Sequence, residues 1–333
     1  MRSDKLQLFE EIMSGLLCRS KFLEELCQSN LILKCAQFAG EGDYGFLWAI
    51  KNEIGPIIAY SMLQGKKDSI NIKRWEIYAK TFASNYIKTI KSIKMIDTVI
   101  KNLNLEKYCT FVKIRPYPRN HSDVDLLTCT PNKLINAFKN LGFYVIAIAD
   151  NNTTVKMSMK GFLPIEIHSK LSWEGLEPLD SVDIINNATR KITPQFPEVG
   201  ELLLPSYVDD FLITIAHKIF QEGTITVGDL IHLYYDITND ANCKKLKEGN
   251  FIKGLPWGFL AIKYCVMAEK MYLNRNNSSA FFPANFPMEA YQFLSFPYFK
   301  LIKKYGKNSI KWLVYNTLWT LLRKMRVLHP SYY

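Results

Sequence analysis

KIRPYPRNHSDVDLL, residues 113–127, decides how the chain is read. Its last part, HSDVDLL, alternates as a β-strand does, and in a strand residues two apart project from one face. Asp123 and Asp125 therefore stand side by side, with Val124, Leu126 and Leu127 packing behind them. Two such anions repel unless a cation lies between them. A hard divalent ion with oxygen ligands, magnesium before manganese, resolves the conflict and keeps positions open for phosphate oxygens. A third acid, Glu166, lies in the strand-like run FLPIEIHS (162–169), where Ile165 and Ile167 face the core and Glu166 with His168 the other side. Three acids from two neighbouring strands make a cage for two metal ions, which can stabilise both the attacking and the leaving oxygen of an in-line phosphoryl displacement.

Outward from this stretch the periodicity changes twice. Further β-type runs are CTFVKI (109–114), VDLLTC (124–129) and FYVIAIA (143–149), separated by the helix-like NKLINAFKNLG (132–142) and the polar DNNTT (150–154). Upstream, apolar residues recur at three- and four-residue steps in LQLFEEIMSGLL (6–17) and in Ile87, Ile90, Ile93, Ile96, Val99, Ile100 and Leu103, a helical pattern. Downstream of Pro194, Pro197 and Pro205 that pattern returns, and Ser206 with Asp209 and Thr226 with Asp229 form S/T-x-x-D helix starts. The expected fold class is α+β: a small mixed sheet over 105–200, flanked by helical regions over 1–104 and 201–333. In YVDDFLITIAHKIFQE (207–222), His217 reads as a hydrogen-bonded helix-packing residue, and His232 with Asp236, four apart, as a solvated helix face.

The 333 residues are 48% hydrophobic and 22% charged, which excludes a disordered chain, a collagen-like repeat and a disulfide-dense mini-fold. Seven cysteines, odd in number and without a C-x-x-C pair, argue against a disulfide framework or a zinc site and for a reducing cytoplasm. Asp4, Glu10 and Glu11 interrupt any signal peptide, and no apolar run reaches the roughly 18 to 20 residues of a membrane span. A net charge of +11 favours anionic partners, and residues 290–333 carry eight Lys and Arg and no acid. This basic tail interleaves cations with Tyr and Trp. It is expected to be either a solvated helix face or a surface for RNA or DNA, with peripheral membrane contact ranked behind these.

The order helical lead-in, KIRPYPRNHSDVDLL, NKLINAFKNLGF, IEIH strand and SYVDDFLITIAHKIFQEGTITVGDL resembles, over roughly residues 50 to 240, uncharacterised nucleotidyltransferase-like proteins of the DNA polymerase beta superfamily, archaeal members especially. The resemblance implies a nucleotidyltransferase-type sheet. It also implies that Asp123, Asp125 and Glu166 bind two magnesium ions and an NTP, and that a nucleoside monophosphate moves to an acceptor hydroxyl. No residue here identifies that acceptor. The superfamily usually carries a Gly-Ser turn ahead of the acidic pair. Residues 113–122 contain no glycine and offer Lys113, Arg115, Arg119 and Ser122 to the phosphates instead. His168, His217 and Glu222 are expected to support the site, and Asp229 to cap its helix. The alternative is a catalytically inactive member of the fold that binds nucleotide or RNA.

Overall fold

The computed structural model describes residues 4–40, 42–65, 72–150, 152–173, 175–222, 224–240, 242–243, 255, 257–274, 276 and 288–289. The basic tail expected over 290–333 lies outside the described residues. The chain begins with α1 (Asp4–Arg19), α2 (Lys21–Cys27), α3 (Asn30–Gly40), α4 (Asp43–Lys51), α5 (Gly55–Gln64) and the long α6 (Ile72–Asn102). α6 is the spine of this part. Its apolar stripe of Trp75, Ala79, Phe82, Tyr86, Ile93, Ile96 and Ile100 is buried, and α1 and α5 pack against it.

The sheet follows: β1 (Cys109–Val112), β2 (Val124–Thr128), α7 (Pro131–Asn140), β3 (Tyr144–Ala149), β4 (Thr154–Ser158) and β5 (Ile165–His168). The strand order is β1-β2-β5-β4-β3, antiparallel except for the central β2–β5 pair. The α+β class is therefore the one read from the sequence, but the sheet differs in two respects. β4 falls across TVKMS, which begins at the end of the polar break expected over 150–154 and otherwise lies in a stretch to which the sequence pattern assigns no element. FYVIAIA does form a strand, yet all six residues of β3 are exposed, because it is the outer edge of the sheet. Ile146 is an extra, unpaired residue there, since Val145 pairs with Met157 and Ala147 with Lys156.

Beyond the sheet come α8 (Ser181–Asn186), β6 (Thr189–Ile192), β7 (Glu201–Leu204), α9 (Tyr207–His217), a π-turn over Lys218–Glu222, β8 (Thr224–Ile225), α10 (Val227–Asn239), α11 (Gly258–Leu273) and β9 (Met288–Glu289). The region expected to be helical from residue 201 thus opens with a strand, β7, which pairs with β6 and lies against β1 through Thr110 Oγ1 donating to the Leu203 carbonyl at 3.0 Å. Both expected helix starts are present. The Ser206 hydroxyl accepts the Asp209 N–H, and Thr226 and Asp229 form a reciprocal capping box. One buried apolar cluster runs from Leu6 through the sheet to Tyr272.

Where α10 starts, Gly228 packs directly on the phenol of Tyr117, and its N–H donates to the Asn52 carbonyl at 3.0 Å. A Cβ there would run into the Tyr117 hydroxyl and stand 3.0 Å from the Asn52 oxygen, whereas one on Gly15, inside α1, would meet nothing within 4 Å. Gly228→Ala is expected to destabilise the protein by about 1–3 kcal/mol through overpacking. Gly15→Ala should stabilise it by roughly 0.5–1 kcal/mol through helix propensity. Urea denaturation of the two variants measures these opposite signs.

Candidate active site

β2 and β5 run parallel with Asp125 directly across from Glu166, and β4 runs antiparallel to β5 with Lys156 across from Glu166. Asp125, Glu166 and Lys156 therefore form a row across three adjacent strands on one face of the sheet, and Asp123 joins them from just before β2. His168, two residues beyond Glu166, shares that face. The structure thus brings the three sequence-predicted acids together with His168 and adds Lys156, which the sequence reading did not single out. The signal was present, because Val155 and Met157 flank Lys156 with the alternation of a strand.

The pairing is specific. Asp125, 7% exposed, accepts from Lys113 Nζ at 3.1 Å and meets His168 Nε2 at 2.8 Å, both on Oδ1. Lys156 Nζ bridges Asp123 Oδ2 at 3.1 Å and Glu166 Oε1 at 2.6 Å, and the Ser122 hydroxyl donates to the other oxygen of Asp123 at 3.0 Å. Burial alone would raise the Asp125 carboxyl, but Lys113 and His168 hold it well below the usual carboxylate range. Glu166 shifts the other way, raised by burial and by the charge of Asp125. Lys113 and Lys156 are raised despite their own burial, because acids surround both. Lys113 also has a left-handed backbone, φ 60°, a conformation uncommon for a side chain of its size and concentrated at functional sites.

One oxygen of Asp125, one of Glu166 and a ring nitrogen of His168 lie within 4.8 Å of one another. Two carboxylates and an imidazole fit one divalent ion, manganese more readily than magnesium because of the nitrogen donor. The His168 ring is oriented for it. Thr154 Oγ1 hydrogen-bonds His168 Nδ1 at 3.0 Å and so turns Nε2 toward the acids, where an ion would take the place of the proton that Nε2 gives to Asp125.

The other predicted residues are placed elsewhere. Arg115 is 2% exposed and points into the interior, donating to Thr214 Oγ1 at 3.1 Å and Asp229 Oδ1 at 3.1 Å and touching His232 Nδ1. Arg119 is paired with Glu53 at 3.1 Å. Of the four residues offered to a triphosphate, Lys113 and Ser122 stand at the acids and the two arginines pin the loop. Glu222 pairs with Lys218 at 2.6 Å, and His217 is buried with its ring edge-on to Trp173. His217 lacks the hydrogen bond expected of it, for its Nδ1 lies 3.3 Å from Glu222 Oε1 without hydrogen-bonding alignment. Burial and the nearby Lys113 and Lys218 ammoniums keep that imidazole neutral by lowering its pKa.

Behind the site lies a buried ionic lattice. Lys218 is fully buried and reaches Glu53 at 3.3 Å, Glu222 at 2.6 Å and Asp229 at 3.1 Å. His232 and Asp236, read from the sequence as a solvated face, are buried to 1% and face Asp210. Their four-residue spacing is the same for a wet and a packed helix face, so spacing could not tell the two apart. Because Arg115 can only donate, His232 Nδ1 must accept, and Nε2 then carries the proton that Asp210 Oδ2 receives at 3.0 Å. That tautomer takes His232 out of consideration as a metal ligand. Asp236 is raised well above the carboxylate range, first by burial and then by Asp210.

No family model matches the chain, and no curated protein matches it. Among the described residues, no helix is long and apolar enough to cross a membrane.

Burial alone would raise Glu53, but Lys218, Arg119 and Arg115 hold it well below its ordinary value. A depressed carboxyl contributes stability that is present above the unfolded value, about 4.3 for Glu, and is lost as pH falls through the folded one. Lys218→Met takes a buried cation from Glu53, Asp229 and Glu222, leaving Arg119 on the first and Arg115 on the second, and is expected to cost about 3–5 kcal/mol at neutral pH. The gap to wild type should narrow below about pH 4, where Glu53 takes up a proton in the variant first. Thermal melts of both proteins across that range measure it.

Proposed function

We propose that the chain is a metal-dependent nucleotidyltransferase, moving a nucleoside monophosphate from an NTP to an acceptor hydroxyl. What carries this reading is the convergence of Asp123, Asp125 and Glu166 on one face of a small mixed sheet, with His168 and Lys113 beside them. Acids this close, with Glu166 raised by burial and by the charge of Asp125, favour a divalent cation, which supplies charge neutralisation for a polyphosphate and lowers the barrier to displacement at the α-phosphorus. Mg2+ or Mn2+ fills that role. Asp125, Glu166 and His168 would hold the ion. Lys113, half-buried and with its Nζ on Asp125, is the cation nearest to hand for the phosphate oxygens, and the Ser122 hydroxyl adds a donor. The seven cysteines are all free, which suits a reducing cytoplasm.

A second reading has its own support. Each of the three carboxylates already has a lysine ammonium within 3.1 Å, so two lysines meet all but one of the negative charges without metal, as in an inactive member of the fold that binds nucleotide or RNA. Transfer separates the two. Wild-type protein with Mg2+ and α-labelled NTPs is expected to label a component of a cellular extract, and Asp125→Asn and Glu166→Gln to reduce labelling at least about 100-fold, the scale for loss of a group that acts in the transition state. Melting curves check that the variants fold, since Asp125→Asn leaves Lys113 short of a partner. Equal labelling by wild type and both variants would reject the transferase reading.

A further inference from the structure

The three acids, His168 and Lys113 all have a part in the proposed reaction; Lys156 has none. Its position is set by the sheet and not by a loop, since β4 pairs with β5 so that Lys156 lies opposite Glu166. From there Nζ reaches one oxygen of Glu166 at 2.6 Å and one of Asp123 at 3.1 Å, bridging two carboxylates from different segments as a metal ion would. The oxygens of Glu166 are divided: Oε1 is taken by Lys156, while Oε2 lies 3.8 Å from His168 Nε2, on the side of Asp125. Asp123 is correspondingly left out of the group of converging ligand atoms, which comprises Asp125, Glu166 and His168.

We infer that Lys156 supplies, as a fixed ammonium bridging Asp123 and Glu166, the charge that a second metal ion would bring, so that the site takes one divalent ion, at Asp125, Glu166 and His168. The inference rests on the transferase reading and narrows it. Charge points the same way. Three carboxylates against Lys113 and Lys156 leave one negative charge uncompensated, enough to draw a single divalent ion. A second would have to displace the Lys156 ammonium or share its two carboxylates. Lys156 is accordingly a positioning residue: it holds Asp123 and turns the free oxygen of Glu166 toward the ion. In a two-ion arrangement Asp123 would bind metal directly, and the sequence-based expectation of two magnesium ions is replaced by one ion and one lysine.

Manganese alone, titrated into the full-length protein without nucleotide and followed by electron paramagnetic resonance, reads both the number of ions and their proximity. Wild type is expected to bind one Mn2+ per chain with no dipolar coupling. Lys156→Met is expected to bind two and show the broadening of a close pair, and Lys156→Arg, which keeps the charge, to bind one. Melting curves of the variants confirm folding, which the partly exposed position of Lys156 makes easy to retain. Two coupled ions in wild type, or a single ion in Lys156→Met, would overturn the inference and leave the transferase reading standing. No Mn2+ bound to wild type at millimolar concentration would instead bring down the metal-dependent reading itself, and this inference with it.

Discussion

The parallel pairing of β2 with β5 is the constraint on which the site depends, because it sets Asp125 opposite Glu166 and leaves the two carboxylates no way to separate. A backbone hydrogen-bond ladder outweighs the repulsion between one buried and one half-buried anion, so the sheet forms and the repulsion must be met by charge from elsewhere. Lys113 comes from the end of β1, Lys156 from β4 and His168 from β5 itself, each on an element adjacent to the acids. The cluster is thus a property of the sheet's central strands.

The segment that leads into β2 is stiffened by charge rather than by a tight glycine turn. Arg115 and Arg119 pair with acids on different segments, one with Asp229 at the start of α10 and the other with Glu53 just after α4. Tyr117 between them is fully buried under Gly228. Lys218 closes the lattice by touching both Glu53 and Asp229. Buried ion pairs of this kind add little net stability, since desolvation offsets their attraction, but breaking one is costly, and the geometry they enforce is unique. Here that geometry ties the N-terminal helices, the loop over 113–122 and the C-terminal helices into one body around the acids.

How much of this could be read from the residues alone follows from the range of the interactions. The helical lead-in, most of the strands, both helix caps and the three acids were legible, because each is encoded by spacing within a few residues. Arg115 and Arg119 were read as free phosphate binders because their partners lie 114 and 66 residues away in the chain. His232 and Asp236 have the spacing of a wet helix face, and it is residues distant in the chain, Arg115 and Thr214 on His232 and Asp210 beside both, that make it a dry one. β4 is short and polar on one side, so its alternation does not stand out from the polar run before it, and Lys156 is hidden with it. The acids were recognisable as a set, but what compensates them was not, since a counter-charge has no sequence signature of its own.

The outer border of the sheet has a consequence for how the protein behaves at high concentration. YVIAIA carries no charge and no proline, and a straight strand of that composition, open along one side, is the kind of template on which further chains add by backbone pairing. The supernumerary Ile146 interrupts it. Shifting the ladder midway through the strand bends it and increases its local twist, so the regular spacing of donors and acceptors that an incoming chain would need is broken at Ile146. One inserted residue thereby guards the molecule against fibre-like self-assembly where neither lysine nor proline does.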